Sequence, residues 1–375
     1  MCEYANTQPK LSRTLRLLVE NGKDGFYKGP VGEAIINAIQ EARGKMCLDD
    51  LENHKTAFVD PIHYEHNGFK VYECPPNGQG IVALQALGVL DSLVEDGKIP
   101  DIGKIQHNSA EYLHILIECL RLAFADAFHY VADPDHIPDP QLLLSRDYLK
   151  TRADLFNHDV KNECITNGEL PISCDTVYFS VVDQDGNGCS FIGIIPKGCG
   201  FTLQNRGCGF SLNTQGYNLY QPEKRPYHTI IPSMITKNDE LHAVFGVMGG
   251  YMQPQGHLQV LLNLLHFGMD PQRSLDQPRF CIDVFEDIVF IEDGIDSIEA
   301  VESALKRKGH NIIVKKSYER AVFGRGQVII RSSSQSKKHA EQPLNTGDSL
   351  GSACEDSIIL AVGSDPRSDG CASAR

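Results

Sequence analysis

No two of the twelve cysteines are spaced C-x-x-C. This removes the commonest structural zinc arrangement, in which two thiolates on one tight turn are already part-way to tetrahedral geometry. The chain has no N-x-S/T sequon either, and both absences favour free thiols in a reducing, cytoplasmic compartment. No stretch approaches the ~18 uncharged apolar residues of a spanning helix. Met1-Cys2-Glu3-Tyr4 has neither the basic start nor the apolar run of a signal peptide. Cations are in the minority, with 35 Lys and Arg against 49 Asp and Glu for a net charge of −14, and they form no cluster. A polyanion would be repelled, so neither nucleic acid nor a membrane is expected as a partner.

The 375 residues are enough for about two domains at roughly 100 to 200 residues each. The first part reads as helical. Residues 15–21 and 32–43 repeat apolar positions at i, i+3 and i+4, and a longer helix is predicted over 109–131. There Asn108 and Ser109 offer caps, and Leu113, Leu116, Ile117, Leu120, Phe124, Ala127 and Phe128 form a stripe expected to lie across a sheet. His114 and His129 on this helix receive no role. Phe69, Val71 and Tyr72 read as a strand that breaks at Pro75-Pro76-Asn77-Gly78.

From Asp175 the period becomes two. Residues 176–182 alternate, Asp183 to Asn187 supply a hairpin turn, and Cys189 to Ile192 return. The D-x-D-G-N string has Ile192 where a calcium loop needs an acid, so it reads as a turn. Further strands are expected at 229–235, 241–247, 289–291, 312–314 and 328–330, with a helix over 256–267 after Gly249-Gly250. Residues 332–356 are polar, aperiodic and expected to be disordered.

Asp175-Thr176 carries a chemical reading. A threonine hydroxyl is a weak nucleophile that needs a base, and its own α-amino group is one if the preceding peptide bond is cut. That amine has a pKa near 8, so a useful fraction is neutral at physiological pH. Taken alone, a threonine opening a strand is far more often only a β-former.

Several blocks place Thr176 in a larger pattern: GFYKGPVGEAI, YECPPNGQGIVALQALGVL, RLAFADAFHYVADP, DTVYFSVVDQDGNGCSF, LQNRG, KRPYHTIIPSMI, VFGVMGGYMQPQGHLQVLLNLLHFGMDPQ and the closing GSDPRSDGCA. Long and in order, they resemble the γ-glutamyltransferase superfamily and, within it, the YwrD-type glutathione hydrolase-like proenzymes, with cephalosporin acylases as cousins.

The resemblance implies an α+β fold, the αββα sandwich of N-terminal-nucleophile hydrolases, lacking part of the family's N-terminal region. It implies a proenzyme cleaved between Asp175 and Thr176. Residues 1–175 would be a remnant of the helix-rich large subunit, and 176–375 the small subunit with its insertion at 332–356. The two pieces are expected to stay associated.

By the same resemblance, Thr176 is the nucleophile and the backbone N–H groups of Gly249 and Gly250 form the oxyanion hole. His228 and Thr229 fall where a serine pair contacts the substrate carboxylate. Arg206 and Gly209 fall where the substrate's α-amino group is held. Glutathione is the family's default donor. The classical enzymes place an aspartate where this chain has Gly209, and an ammonium buried without an acidic partner is costly. An anionic or differently acylated amide is therefore expected to fit better. By the same resemblance, about one supporting loop is expected to be missing after Ile192, and the family's carboxylate-gripping arginine is expected to be absent with the N-terminal segment.

Acyl transfer needs only a hydroxyl, an amine and two N–H donors, so no metal and no organic cofactor is expected. The expected activity is that of an amidohydrolase or acyltransferase working through an acyl-enzyme on a small amide or γ-glutamyl substrate. The alternative is an impaired or inactive homologue that keeps the fold as a binding or structural protein.

Overall fold

Asn67 and Gly68, both at positive φ, make the two-residue turn of a hairpin that joins β1 (Ile62–His66) to β2 (Phe69–Glu73), with His66 opposite Phe69. This is a computed structural model. It describes residues 8–41, 43–163, 165, 177–182, 188–193, 199–201, 203–204, 206–212, 216–333 and 358–372, with backbone only at 177–182, 188–193 and 333. Asp175, Thr176, the turn at 183–187 and residues 334–356 of the expected insertion lie outside this set.

The chain divides into two compact units, residues 1–59 with 193–205, and residues 60–192 with 206–375. The first carries α1 (Pro9–Asn21), α2 (Asp24–Tyr27), α3 (Gly29–Glu41) and α4 (Leu48–Glu52) around a small core of Val31, Ile35, Ile36 and Leu51. Residues 199–201 close on this unit: Thr14 Oγ1 donates to the Cys199 carbonyl at 3.0 Å, and the Phe26 and Phe201 rings stack.

The second unit contains, in chain order, α5 (Gly80–Glu95), α6 (Ala110–Tyr130), α7 (Arg146–Ala153), β3 (Val177–Val182), β4 (Gly188–Gly193), β5 (Ser233–Lys237) and β6 (Glu240–Met248). There follow α8 (Met252–Leu265), α9 (Pro271–Asp276), β7 (Phe280–Asp283), β8 (Ile288–Glu292), α10 (Ile298–Arg307), β9 (Asn311–Lys315), β10 (Arg325–Ser333) and β11 (Ile358–Ser364). Six strands form one antiparallel sheet in the order β1-β2-β5-β6-β10-β11. Ser332 and Ser333, expected in the disordered stretch, extend β10.

Residues 243–248 of β6 are all buried, as befits a central strand covered on both faces. Helix α8 packs against β6, α5 packs against β1, β2 and α8, and β3 of the small β3-β4 sheet lies close to β6 and β10. The parallel pair β8-β9 is joined by the crossover helix α10, as parallel neighbours require.

The helix expected over 109–131 is α6, with Ser109 Oγ capping the Tyr112 N–H. It packs mainly on α5 and α10 and not across a sheet, because α5 already occupies the strand face. Helix α8 begins one turn before the expected 256, since Pro254 is tolerated in a first turn where no intrahelical N–H bond is lost. The strand expected from Thr229 begins only at Ser233, because 228–230 are held by the loop described below. Cys47, Cys74, Cys119, Cys199, Cys208, Cys281 and Cys371 are free thiols. Among the described residues, no group of side chains is arranged to hold a metal ion, and no helix is long and apolar enough to cross a membrane.

Candidate active site

Four segments of the second unit meet where β6 ends and α8 begins. Gly249 and Gly250 form the connection with φ of +134° and +57°. Both values lie in the region that a Cβ disfavours, so the sharp exit from the strand calls for glycine. The Gly249 carbonyl accepts from the Met252 N–H at 2.9 Å. The Gly250 N–H lies trans to that carbonyl across the same peptide plane, so it points away from the body of α8. The positive end of the helix adds to its donor strength.

The loop Pro75–Gly80, ahead of α5, supplies Gln79, which is completely buried. Its Nε2 donates to the carbonyl oxygens of Gly250 at 2.8 Å and Thr229 at 3.1 Å. Its Oε1 accepts from the Tyr227 hydroxyl at 3.0 Å, and its backbone N–H donates to the His228 carbonyl at 3.0 Å. Two N–H donors facing two carbonyls, with a hydroxyl facing the oxygen, fix which way round this amide sits.

The third segment is 227–230. Thr229 Oγ1 accepts from Arg206 Nη2 at 3.1 Å, which joins two of the residues expected to bind substrate. His228 Nδ1 accepts from the Ile230 N–H at 3.0 Å, leaving its proton on Nε2. Burial, and then the Arg206 guanidinium, push its pKa down to about 4, so the ring is a neutral donor at physiological pH.

The fourth segment is the turn 206–209. Gly209 is buried, and its carbonyl accepts from Asn218 Nδ2 at 2.5 Å, while Asn218 Oδ1 accepts from the Tyr227 N–H at 2.9 Å. A side chain on residue 209 would begin 2.5 Å from the Tyr227 carbonyl oxygen, inside any normal contact.

The structure therefore brings Arg206, Gly209, His228, Thr229, Gly249 and Gly250 into one bonded cluster. Thr176 and Asp175 lie outside the described residues. The strand that follows them, β3, starts at Val177 and lies close to β6, the strand that leads into Gly249. Sequence reasoning missed Gln79, Tyr227 and Asn218. For Gln79 a signal existed: it is a polar residue directly before the wholly apolar opening of α5, and a buried amide needs partners.

A family model described as gamma-glutamyltranspeptidase matches residues 3–374. The chain belongs to this family. It is 32% identical over 283 residues to the glutathione hydrolase-like YwrD proenzyme of Bacillus subtilis, covering 73% of this chain and 52% of that protein. To the oxamate amidohydrolase proenzyme of Klebsiella pneumoniae it is 30% identical over 358 residues, covering 92% of this chain and 65% of that protein. Among solved structures, the cephalosporin acylase from Bacillus halodurans superposes with a TM-score of 0.78 at 32% identity, over 96% of this chain and 61% of that one. The chain thus spans about half to two thirds of the length of these relatives. The fold is α+β and of the N-terminal-nucleophile hydrolase type, as the resemblance implied.

Proposed function

We propose that this chain is a self-processing N-terminal-threonine amidohydrolase or acyltransferase. Cleavage between Asp175 and Thr176 frees the threonine amine, which takes the proton from its own hydroxyl. That oxygen attacks the carbonyl of a small amide, and the N–H groups of Gly249 and Gly250 receive the negative charge that develops. The amine of the leaving group departs with a proton, and water or an acceptor amine resolves the acyl-enzyme. The two processed pieces stay together.

The observation that carries this reading is the bonded path from Arg206 through Thr229 and Gln79 to Gly250. It ties the region proposed to hold the acyl group to the one proposed to hold the oxyanion. The same geometry favours an acyl group with a carboxylate and no ammonium. His228 Nε2–H and Arg206 are donors, and Gly209 supplies no carboxylate to receive an α-amino group. One relative is named as an amidohydrolase of oxamate, an amide whose acyl group carries a carboxylate and no ammonium.

The test is to purify the chain, identify its fragments by mass spectrometry, and compare glutaryl-4-nitroanilide with γ-glutamyl-4-nitroanilide. A fragment beginning at Thr176 and a higher kcat/KM for the glutaryl compound are expected. An intact chain that hydrolyses neither would overturn the reading in favour of a non-catalytic binding or structural protein.

A further inference from the structure

Two consecutive glycines give the backbone its greatest freedom where an oxyanion hole needs the least. Helix α8 restrains the pair from one side, through the Met252 and Gln253 N–H groups. The other restraint is a side chain from a distant part of the sequence. Gln79 uses both hydrogens of its amide on the carbonyls of Gly250 and Thr229, and its oxygen is held by the Tyr227 hydroxyl. Burial makes each of these bonds expensive to leave unmade, so the amide acts as a rigid strut.

We infer that Gln79 is a positioning residue: through its bond to the Gly250 carbonyl it sets the direction of the oxyanion-binding N–H, and it couples that direction to the acyl-binding segment 227–229. This rests on the function proposed above. Gln79 touches no reacting atom, so it acts only through the glycines and Thr229. Holding the Gly250 carbonyl limits rotation about both backbone bonds of Gly250, and its own N–H is thereby kept at one angle. An acyl group seated against Thr229 and His228 pushes on the same amide, so filling one site stiffens the other.

The experiment compares wild type with Gln79→Met and Tyr227→Phe, using glutaryl-4-nitroanilide as substrate and 3-carboxypropylboronic acid as a tetrahedral mimic. A boronate adduct of the nucleophile places an oxygen where the oxyanion forms, so its affinity reports the hole and not ground-state binding. For Gln79→Met the acylation rate should fall about 10- to 100-fold, in line with the cost of slight misplacement. KM should stay within about 3-fold. Boronate affinity should fall in parallel with the acylation rate. Tyr227→Phe, which frees the amide to turn without removing it, should give a smaller loss of the same pattern. The double variant should lose no more than Gln79→Met, because the two residues act as one unit.

The inference is overturned if Gln79→Met acylates at the wild-type rate, or if rate and melting temperature fall and KM rises while boronate affinity holds. If Gln79→Met does not fold, Tyr227→Phe decides by the same measurements. A wild-type chain inert to both probes would instead refute the proposed function, which keeps the two failures distinct.

Discussion

The α-carbon of Gly209 lies so close to the carbonyl oxygen of Tyr227 that a Cβ on it would stand 2.5 Å from that oxygen. The aspartate that the resemblance implies for the classical enzymes at this position would therefore meet the backbone of the neighbouring segment. Gly209→Asp should not create an ammonium site. It should force 209 and 227 apart, break the Asn218 bridge and cost about 1–3 kcal/mol. Chemical denaturation of the variant beside wild type measures the loss, and γ-glutamyl substrates should gain nothing. A stable variant with improved γ-glutamyl turnover would show that the loop yields.

A second prediction concerns acid. His114 Nε2 donates to the Asn157 carbonyl at 2.9 Å, and its Nδ1 lies 2.7 Å from His310 Nε2. Burial pushes His114 down to about 4 and His310 to about 3, with help from Arg121, Lys308, Lys161 and His158 against the opposing Asp287. Their folded pKa values lie below the ordinary 6.5 of the unfolded chain, so between those limits the unfolded state binds more protons. The stability from this pair is fully present above about pH 6.5 and is lost as pH falls toward 4 and 3. Buried Glu73, Glu118 and Asp126, whose pKa values are raised by burial, act in the opposite direction in acid. The difference between wild type and His310→Gln isolates the histidines. The melting temperature of the variant should fall less steeply from pH 7 to pH 4.5, and parallel curves would contradict this.

The closing segment of the chain is held by charge. Asp365 is fully buried against Arg279 and Arg367, and Glu292 is buried against Arg367 and Arg320. Asp365 also accepts from the Gly326 N–H, fixing the start of β10. The two arginines hold the Asp365 carboxyl below its ordinary range, despite burial. Asp365→Ala leaves both guanidinium groups without this partner and should cost about 3–5 kcal/mol. Arg146→Ala, whose partner Glu95 shares open solvent, should leave the denaturation midpoint unchanged. Equal effects from the two would mean that the buried network contributes little.

What the sequence disclosed follows from how each element meets water. Helix α6 was legible because Ser109 caps it. Helix α5 was not, because nearly every residue from Gly80 to Leu93 is buried and an all-round apolar helix has no stripe. The hairpin β1-β2 carried its signal in Asn67-Gly68, but Ile62–His66 is mostly polar and hid the first strand. The residues at 206, 209, 228, 229, 249 and 250 were singled out through the order of their motifs, and the structure brings them together. Their mutual bonds were not legible, because Gln79 lies 148 residues from Tyr227 and 171 from Gly250 in sequence. No local pattern encodes a tie of that span.

The account as a whole turns on which atom becomes acylated. The most direct measurement is peptide mapping after treating the purified chain with an electrophilic glutamine analogue that traps the acyl-enzyme. The account predicts one adduct, on Thr176 at the head of the 176–375 fragment, and none on Thr176→Ala. An adduct on a cysteine or lysine that survives Thr176→Ala, or a processed chain that takes no label, would contradict it.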